Sequence, residues 1–424
     1  MKVKIQYKRN KIPKLIEYVF HFVLISFLSG AFYALWREKQ GFLIDPIEGD
    51  PYSRIVLAIG YILSFLYLIF FPKRSLRYAI KAPLLWLLIL WGVISVFWSD
   101  LPSLTLRRSI AIILTTLYGL VLVVRFDLKE MLHLLGYSVW FFLMISFLLV
   151  VLFPDWGTTT YGHEVAWRGV FQHKNRLGNI SALGLLLFLF LWREDQKIGR
   201  AIWSIGIGLA ILMVIGSQSF TGIVLALLMF VGFLILTLLL KSHRDWQLLY
   251  PLFLVVGGFG LYLIGFYFEE VLLAFGRDIT FTGRLPLWKA LIQAGMQNFW
   301  IGFGYRSFWR GWDWPSAEIW EQITWLPNQA HNGYIEIWLD LGVIGLVLML
   351  LILIGLFIRS IIYFNKTRYE SILWVLLSLF LIFLSFSESV LMRPNDVYWV
   401  LMVYLSLNRY NQYDQSRLER SASF

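Results

Sequence analysis

The run His331-Asn332-Gly333-Tyr334-Ile335-Glu336 holds the densest candidate chemistry in the chain. An imidazole titrates near neutrality, so His331 is able to take the proton of a sugar hydroxyl as that hydroxyl attacks. Asn332 either orients it or caps the helix that follows. Glu336 is able to hold a ring nitrogen or a sugar hydroxyl. Upstream, Gly276-Arg277-Asp278-Ile279-Thr280-Phe281-Thr282-Gly283-Arg284 carries two arginines that can bracket an anion, with Trp288 after them. Asp278 is equally able to neutralise one arginine in an ordinary ion pair. A third run, from Trp167 to Gly178, gathers Arg168, His173, Lys174, Asn175 and Arg176. Guanidinium forks suit phosphate oxygens and an ammonium supplies a compact charge; the competing reading is interfacial anchoring. Arg107, beyond Trp98, Ser99 and Asp100, either joins the same anionic site or snorkels to headgroups. Tyr305 offers a ring for stacking on a sugar, the polar turn Ser217–Thr221 reads as the lining of a cavity, and Glu388 and Arg393 read as a partner pair.

The elements that must position these residues are membrane helices. Of 424 residues, 59% are hydrophobic and only 15% charged, too little charge for the surface of a soluble protein. The apolar residues come in runs, as at Leu84–Phe97, Ile223–Leu240 and Ile344–Phe357, and not in the alternation of a β-barrel. Backbone groups in lipid must be paired internally, so these runs are helices. The pattern predicts an all-α polytopic membrane protein with about twelve spans. They fall near 15–35, 53–71, 83–98, 108–125, 131–153, 178–192, 201–217, 220–240, 248–268, 338–358, 371–387 and 395–408. The expected organisation is a bundle over 1–268, a large loop subdomain over 269–339, further spans over 340–408 and a polar tail over 409–424. Within the loop, helices are expected near Leu285–Gln297 and Ala317–Trp325. The basic start flows into the first span without a small-residue cleavage site, which predicts a retained helix.

Lysines and arginines cluster before span one and after spans two, six, eight and ten, so both ends are expected in the cytoplasm and the long loop outside. The same rule accounts for the net charge of +11 without nucleic acid, which is not expected as a partner. No cysteine is present, so neither disulfides nor thiolate metal sites are available. One histidine in the long loop, without ligands at metal spacing, predicts no metal site. The phosphate loop of nucleotide hydrolases, the dinucleotide fingerprint and the serine-hydrolase elbow are all missing, and no cofactor is expected.

Taken in order, four clusters resemble the bacterial O-antigen ligase and polysaccharide polymerase superfamily. They are Trp98-Ser99 with Pro102, Ser103 and Arg107; Arg168 to Gly178; Gly276-Arg277-Asp278 with Thr282-Gly283-Arg284 and Trp288; and His331-Asn332-Gly333-Tyr334. The flavour is that of the exopolysaccharide polymerase branch related to the succinoglycan polymerase. The resemblance implies a metal-independent, GT-C-like glycosyltransferase of the bacterial inner membrane, with its loop in the periplasm. It implies transfer of an undecaprenyl-pyrophosphate-linked oligosaccharide to the hydroxyl of an acceptor glycan, with membrane lipid and other polysaccharide-assembly proteins as partners. Polymerases join lipid-linked repeat units, whereas ligases move the glycan to lipid A–core; a transporter of lipid-linked sugars is the non-enzymatic alternative. By the resemblance His331 activates the acceptor, and Arg277 or Arg284 holds the pyrophosphate. Relatives often carry an arginine in the polar turn where this chain has Gln218. If that arginine contacts phosphate in relatives, the contact here passes to Arg168, Lys174 or Arg176, or the activity is altered.

Overall fold

The computed structural model describes residues 14–32, 51–161, 164–241, 283–323, 325–364 and 368–408. The span expected at 248–268, Arg277, Asp278 and the 409–424 tail lie outside the described residues. The helices are α1 (Lys14–Ser29), α2 (Pro51–Phe70), α3 (Pro72–Ala79), α4 (Pro83–Ile94), α5 (Pro102–Arg125), α6 (Leu128–Leu152) and α7 (Lys174–Glu194). They continue with α8 (Lys197–Ser217), α9 (Phe220–Lys241), α10 (Arg284–Gly295), α11 (Ser316–Gln322), α12 (Gly333–Phe364), α13 (Arg368–Leu384) and α14 (Val397–Leu407).

Among the described residues seven helices are long and apolar enough to cross a membrane, or eight if the pair α3 and α4 forms one bent span. The expected count of about twelve is therefore not reached there. Helices do stand at the first, eleventh and twelfth expected spans, but α1, α13 and α14 have only 16, 17 and 11 residues. The basic stretch between the second and third spans is itself a helix, α3, turned 90° from the next. Its charged and apolar residues separate onto two faces, as in a helix lying at an interface. The segment 158–167 departs from the all-α expectation. Thr158–Tyr161 and Glu164–Trp167 pair as an antiparallel hairpin, with Thr158 opposite Trp167, a conformation that threonine-rich sequence favours.

α7 lies at the centre, buried almost throughout between α6, α8, α9 and α13. In the polar turn 217–221 the two serines are used within the fold. Ser217 and Ser219 are fully buried, and their hydroxyls accept the backbone N–H of Ser219 and Gly222. This is where α9 crosses α7 most closely, since a Cβ on Gly222 would stand 2.8 Å from the Gly178 backbone. Beyond the bundle, Leu287, Leu291, Phe303, Phe308, Trp309, Ile319 and Leu339 enclose a second, smaller core. Its walls are α10 and α11, at the two places where loop helices were expected.

α12 joins the two cores, and it is not one straight rod. Its 32 residues would reach about 48 Å, well beyond a hydrocarbon layer of about 30 Å. It breaks at Gly342, where φ is 67° and ψ −171°. A break strands backbone groups, and the segment 299–304 pairs with them. Phe303 N–H donates to Leu339 O (2.8 Å), Gly304 N–H to Asp340 O (3.0 Å), and Val343 N–H to Phe299 O (2.9 Å). The Trp91 indole takes Leu341 O at 3.0 Å. The contact tolerates only glycine, because a Cβ at Gly342 would stand 2.1 Å from the Trp300 carbonyl. Gly342→Ala is expected to cost about 3 kcal/mol or more, read as a lower melting temperature of the purified protein in lipid nanodiscs. An unchanged melting temperature would mean that the break is not what holds the two cores together.

Candidate functional site

Three helices begin around one partly buried carboxylate, Glu388, in the turn between α13 and α14. α7 begins with His173 as its N-cap, whose ring nitrogen Nδ1 accepts the N–H of Asn175 at 3.2 Å. The Asn175 side chain then donates to Glu388 Oε1 at 3.3 Å. α10 begins at Gly283, in the left-handed region at φ 79°, and presents Arg284. That guanidinium donates to Ser387 O at 2.8 Å and stands 3.7 Å from Glu388 Oε1. α12 begins beside His331, whose Nδ1 lies 4.0 Å from Glu388 Oε2. Helix N-termini carry unpaired N–H groups and a positive dipole end, so this convergence attracts negative charge.

The strand before α12 is fixed on both sides. Arg393 donates to Gln329 Oε1 (3.0 Å), Trp288 Nε1 to Ala330 O (2.9 Å), and Ala330 N–H to Glu336 Oε2 (2.6 Å). Gly333 N–H donates to Ser385 O at 2.7 Å. Between these anchors His331 is held at φ 49°, a left-handed conformation uncommon for a residue with a Cβ. Its Nδ1 and the indole nitrogen of Trp325 are both buried without a hydrogen-bond partner among the described residues. The two rings are 5.6 Å apart. Such orphaned polar atoms require an explanation, and a polar ligand is one.

Burial, with Arg284, His173 and Arg393 nearby, pushes His331 down to about 3. His173, though part of its ring meets solvent, is pushed to about 4 by the surrounding protein, Lys174 and Arg284. Burial raises Glu388, with Arg284 and Arg393 opposing it. Both imidazoles are therefore neutral at physiological pH.

The structure thus brings together His331, Arg284, His173 and Asn175, which the sequence places in three separate runs. Arg277 lies outside the described residues. Trp288 braces the strand before His331. Asn332 is the cap of α12, accepting from Tyr334 N–H (2.9 Å) and Ile335 N–H (3.1 Å). Glu336 is filled from within, by Arg306 (3.1 Å), Trp309 Nε1 (3.2 Å), Ala330 N–H and Ser389 Oγ (3.1 Å). Tyr305 offers no ring to a sugar: it is fully buried and donates to Met392 O at 2.7 Å. Arg176 spends its fork on Ser29 O, Leu28 O and Asp396, tying α7 to α1 and to the turn before α14. Arg168 is buried and donates to Trp156 O at 3.2 Å, Lys174 is buried, and Gln218 donates to Val165 O of the hairpin at 3.3 Å. Arg107 is exposed, and its neighbour Arg108 reaches the loop subdomain at Arg306 O.

The sequence reading omitted Glu388 from the site, pairing it instead with Arg393. Glu388 meets Arg284, while Arg393 reaches Gln329. The available signal was an acidic residue in a short turn facing the arginine-rich loop.

In the unfolded chain His331 takes a proton near pH 6.5, whereas in the fold it resists one until about pH 3. The unfolded state therefore binds more protons across this window, and stability falls as pH falls below 6.5. The slope from this residue is about 1.4 kcal/mol per pH unit. Melting temperatures from pH 7 to pH 5 should drop less steeply in His331→Gln than in wild type; equal slopes would contradict the burial of a neutral imidazole.

The O-antigen ligase family profile matches residues 205–350, from within α8 through α9 and the loop subdomain into α12. The exopolysaccharide production protein ExoQ of Rhizobium meliloti (strain 1021) is 26% identical over 356 residues, covering 76% of this chain and 79% of that protein. The stretch 205–350 contains Arg284, His331 and the starts of α10 and α12. Both matches support the resemblance of the chain to the O-antigen ligase and polysaccharide polymerase superfamily.

Proposed function

We propose that the protein transfers a glycan from undecaprenyl pyrophosphate to an acceptor sugar hydroxyl, acting at the periplasmic face of a bacterial inner membrane as a repeat-unit polymerase. The observation that carries this reading is His331, with an unpartnered buried nitrogen, set beside Glu388 and Arg284 where three helices begin. About twelve spans, both ends in the cytoplasm and a periplasmic loop belong to the same proposal.

In the proposed step the acceptor oxygen bonds to the anomeric carbon as the bond from that carbon to the pyrophosphate oxygen breaks. The electron pair leaves on the pyrophosphate, and the hydroxyl proton passes to His331. Direct attack inverts the anomeric carbon. Glu388 Oε2, 4.0 Å from Nδ1, places a carboxylate beside the imidazolium that forms. Arg284, Arg393 and the helix N-termini supply the electrostatic stabilisation that the leaving group needs, so no ATP is required. Two of the cations that depress His331 are Arg284 and Arg393. A bound pyrophosphate would offset their charge and raise the basicity of His331 when the donor is in place.

A polymerase is favoured because the ExoQ relative is described as an exopolysaccharide production protein. The family description of residues 205–350 supports the ligase as second reading. With an undecaprenyl-pyrophosphate repeat unit as sole substrate, the protein in nanodiscs should build a glycan ladder without ATP. His331→Ala should slow it by about 10²–10⁴-fold. No ladder from the cognate repeat unit, but transfer to an added lipid A–core, would replace the polymerase with the ligase.

The pH dependence offers a further check. Because His331 in the free protein stays neutral down to about 3, kcat/KM should show no loss of activity at the ordinary histidine value near 6.5. An acid limb centred there, and abolished in Glu388→Gln, would assign the base differently.

A further inference from the structure

A second cleft lies across the 328–331 strand from His331, lined by Arg108, Arg306, Trp309, Gly311, Trp320 and Asn328. Arg108, near the start of α5, donates to the carbonyl of Arg306. Arg306 is held at φ 56°, left-handed like His331. Glu336 sets two of the walls, since one of its oxygens takes both the Arg306 guanidinium (3.1 Å) and the Trp309 indole (3.2 Å). Trp320 is pinned by its own N–H to Pro327 O at 2.8 Å, and the exposed Trp312 meets it edge-on at 5.1 Å. Glu336, Asp340 and Asp396 are the carboxylates that act on the two arginines, and none of them lines the cleft.

The cleft therefore presents two guanidiniums, indole surfaces whose N–H groups are already used, and the exposed amide of Asn328 at its lip. A guanidinium fork matches a carboxylate, and an aromatic surface matches the apolar face of a pyranose. The enclosed space, about 40 Å³, is a few times what a water needs and takes a carboxylate, not a pyranose ring. The ring would then lie outside, against Trp320 and toward Trp312. Gly311, at φ 73°, leaves that approach open, for a Cβ there would stand 3.6 Å from the Trp320 ring.

We propose that this cleft is a subsite for a carboxylate-bearing sugar of the glycan, with the carboxylate between Arg108 and Arg306 and the ring against Trp320. The identity of the ligand as glycan rests on the transfer reading above. Asn328 at the cleft is joined to His331 through Gln329 and Ala330, so a chain held here lies close to the proposed base along the same segment. The subsite selects acidic over neutral repeat units.

Binding is measured by isothermal titration on the full-length protein in phosphatidylcholine nanodiscs without donor lipid. The probes are cellobiouronic acid and cellobiose, which differ only in the terminal carboxylate. The acid should bind at least about tenfold more tightly, with the difference narrowing in high salt. Trp320→Ala should weaken the acid several-fold, and Asn328→Ala at the exposed lip should do so if Trp320→Ala does not fold. Equal binding of the two disaccharides by wild type would overturn the proposal, as would acid binding that neither variant changes. Since no donor is present, a failed transfer assay leaves this result untouched, and a failed titration leaves the transfer reading standing.

Discussion

A backbone group in hydrocarbon has no water to bond, so any interruption of a membrane helix has to be closed by another piece of the chain. In this protein that requirement is met at Gly342. The carbonyls of Leu339 and Asp340 and the amide of Val343 would be stranded by the break, and the 299–304 segment takes each of them. The pairing fixes the height of the loop subdomain above the bundle and the direction in which the first part of α12 points. His331 sits immediately before that part, so its position follows from how a helix break is satisfied.

The second constraint is electrostatic. Three helix starts, Arg284 and Arg393 gather positive potential around Glu388, whose burial itself disfavours a lone charge. The carboxylate keeps this cationic cluster packed, with Asn175 and Arg284 bonded or close to it. The same arrangement holds the imidazoles of His173 and His331 neutral. A cluster of this kind is stable with one internal anion and has the potential to accept a larger external one.

Glu336 illustrates how a polar side chain in a candidate cluster can be wholly used in building the fold. Each of its oxygens is occupied by protein donors, and it fixes the Ala330 amide on one side and Arg306 and Trp309 on the other. It is the partition between the His331 pocket and the arginine–tryptophan cleft. Arg176 has a similar standing: a phosphate-binding type of side chain whose donors are consumed in joining α1, α7 and the turn before α14.

Sequence alone determined the membrane class, the positions of most helices, the two loop helices and the capping alternative at Asn332. These depend on local properties: runs of apolar residues, and caps adjacent to the helices they serve. Only the tertiary structure decided that Glu388 faces His331, that Tyr305 is core and that Arg108, not its neighbour Arg107, reaches the loop subdomain. It also decided that α12 breaks at Gly342, inside a span that the sequence predicts as continuous over 338–358. Each of these depends on which side of a helix meets which distant segment. That choice is made when antiparallel helices pack and stranded backbone groups find partners, and it leaves no periodic trace in any one stretch of sequence.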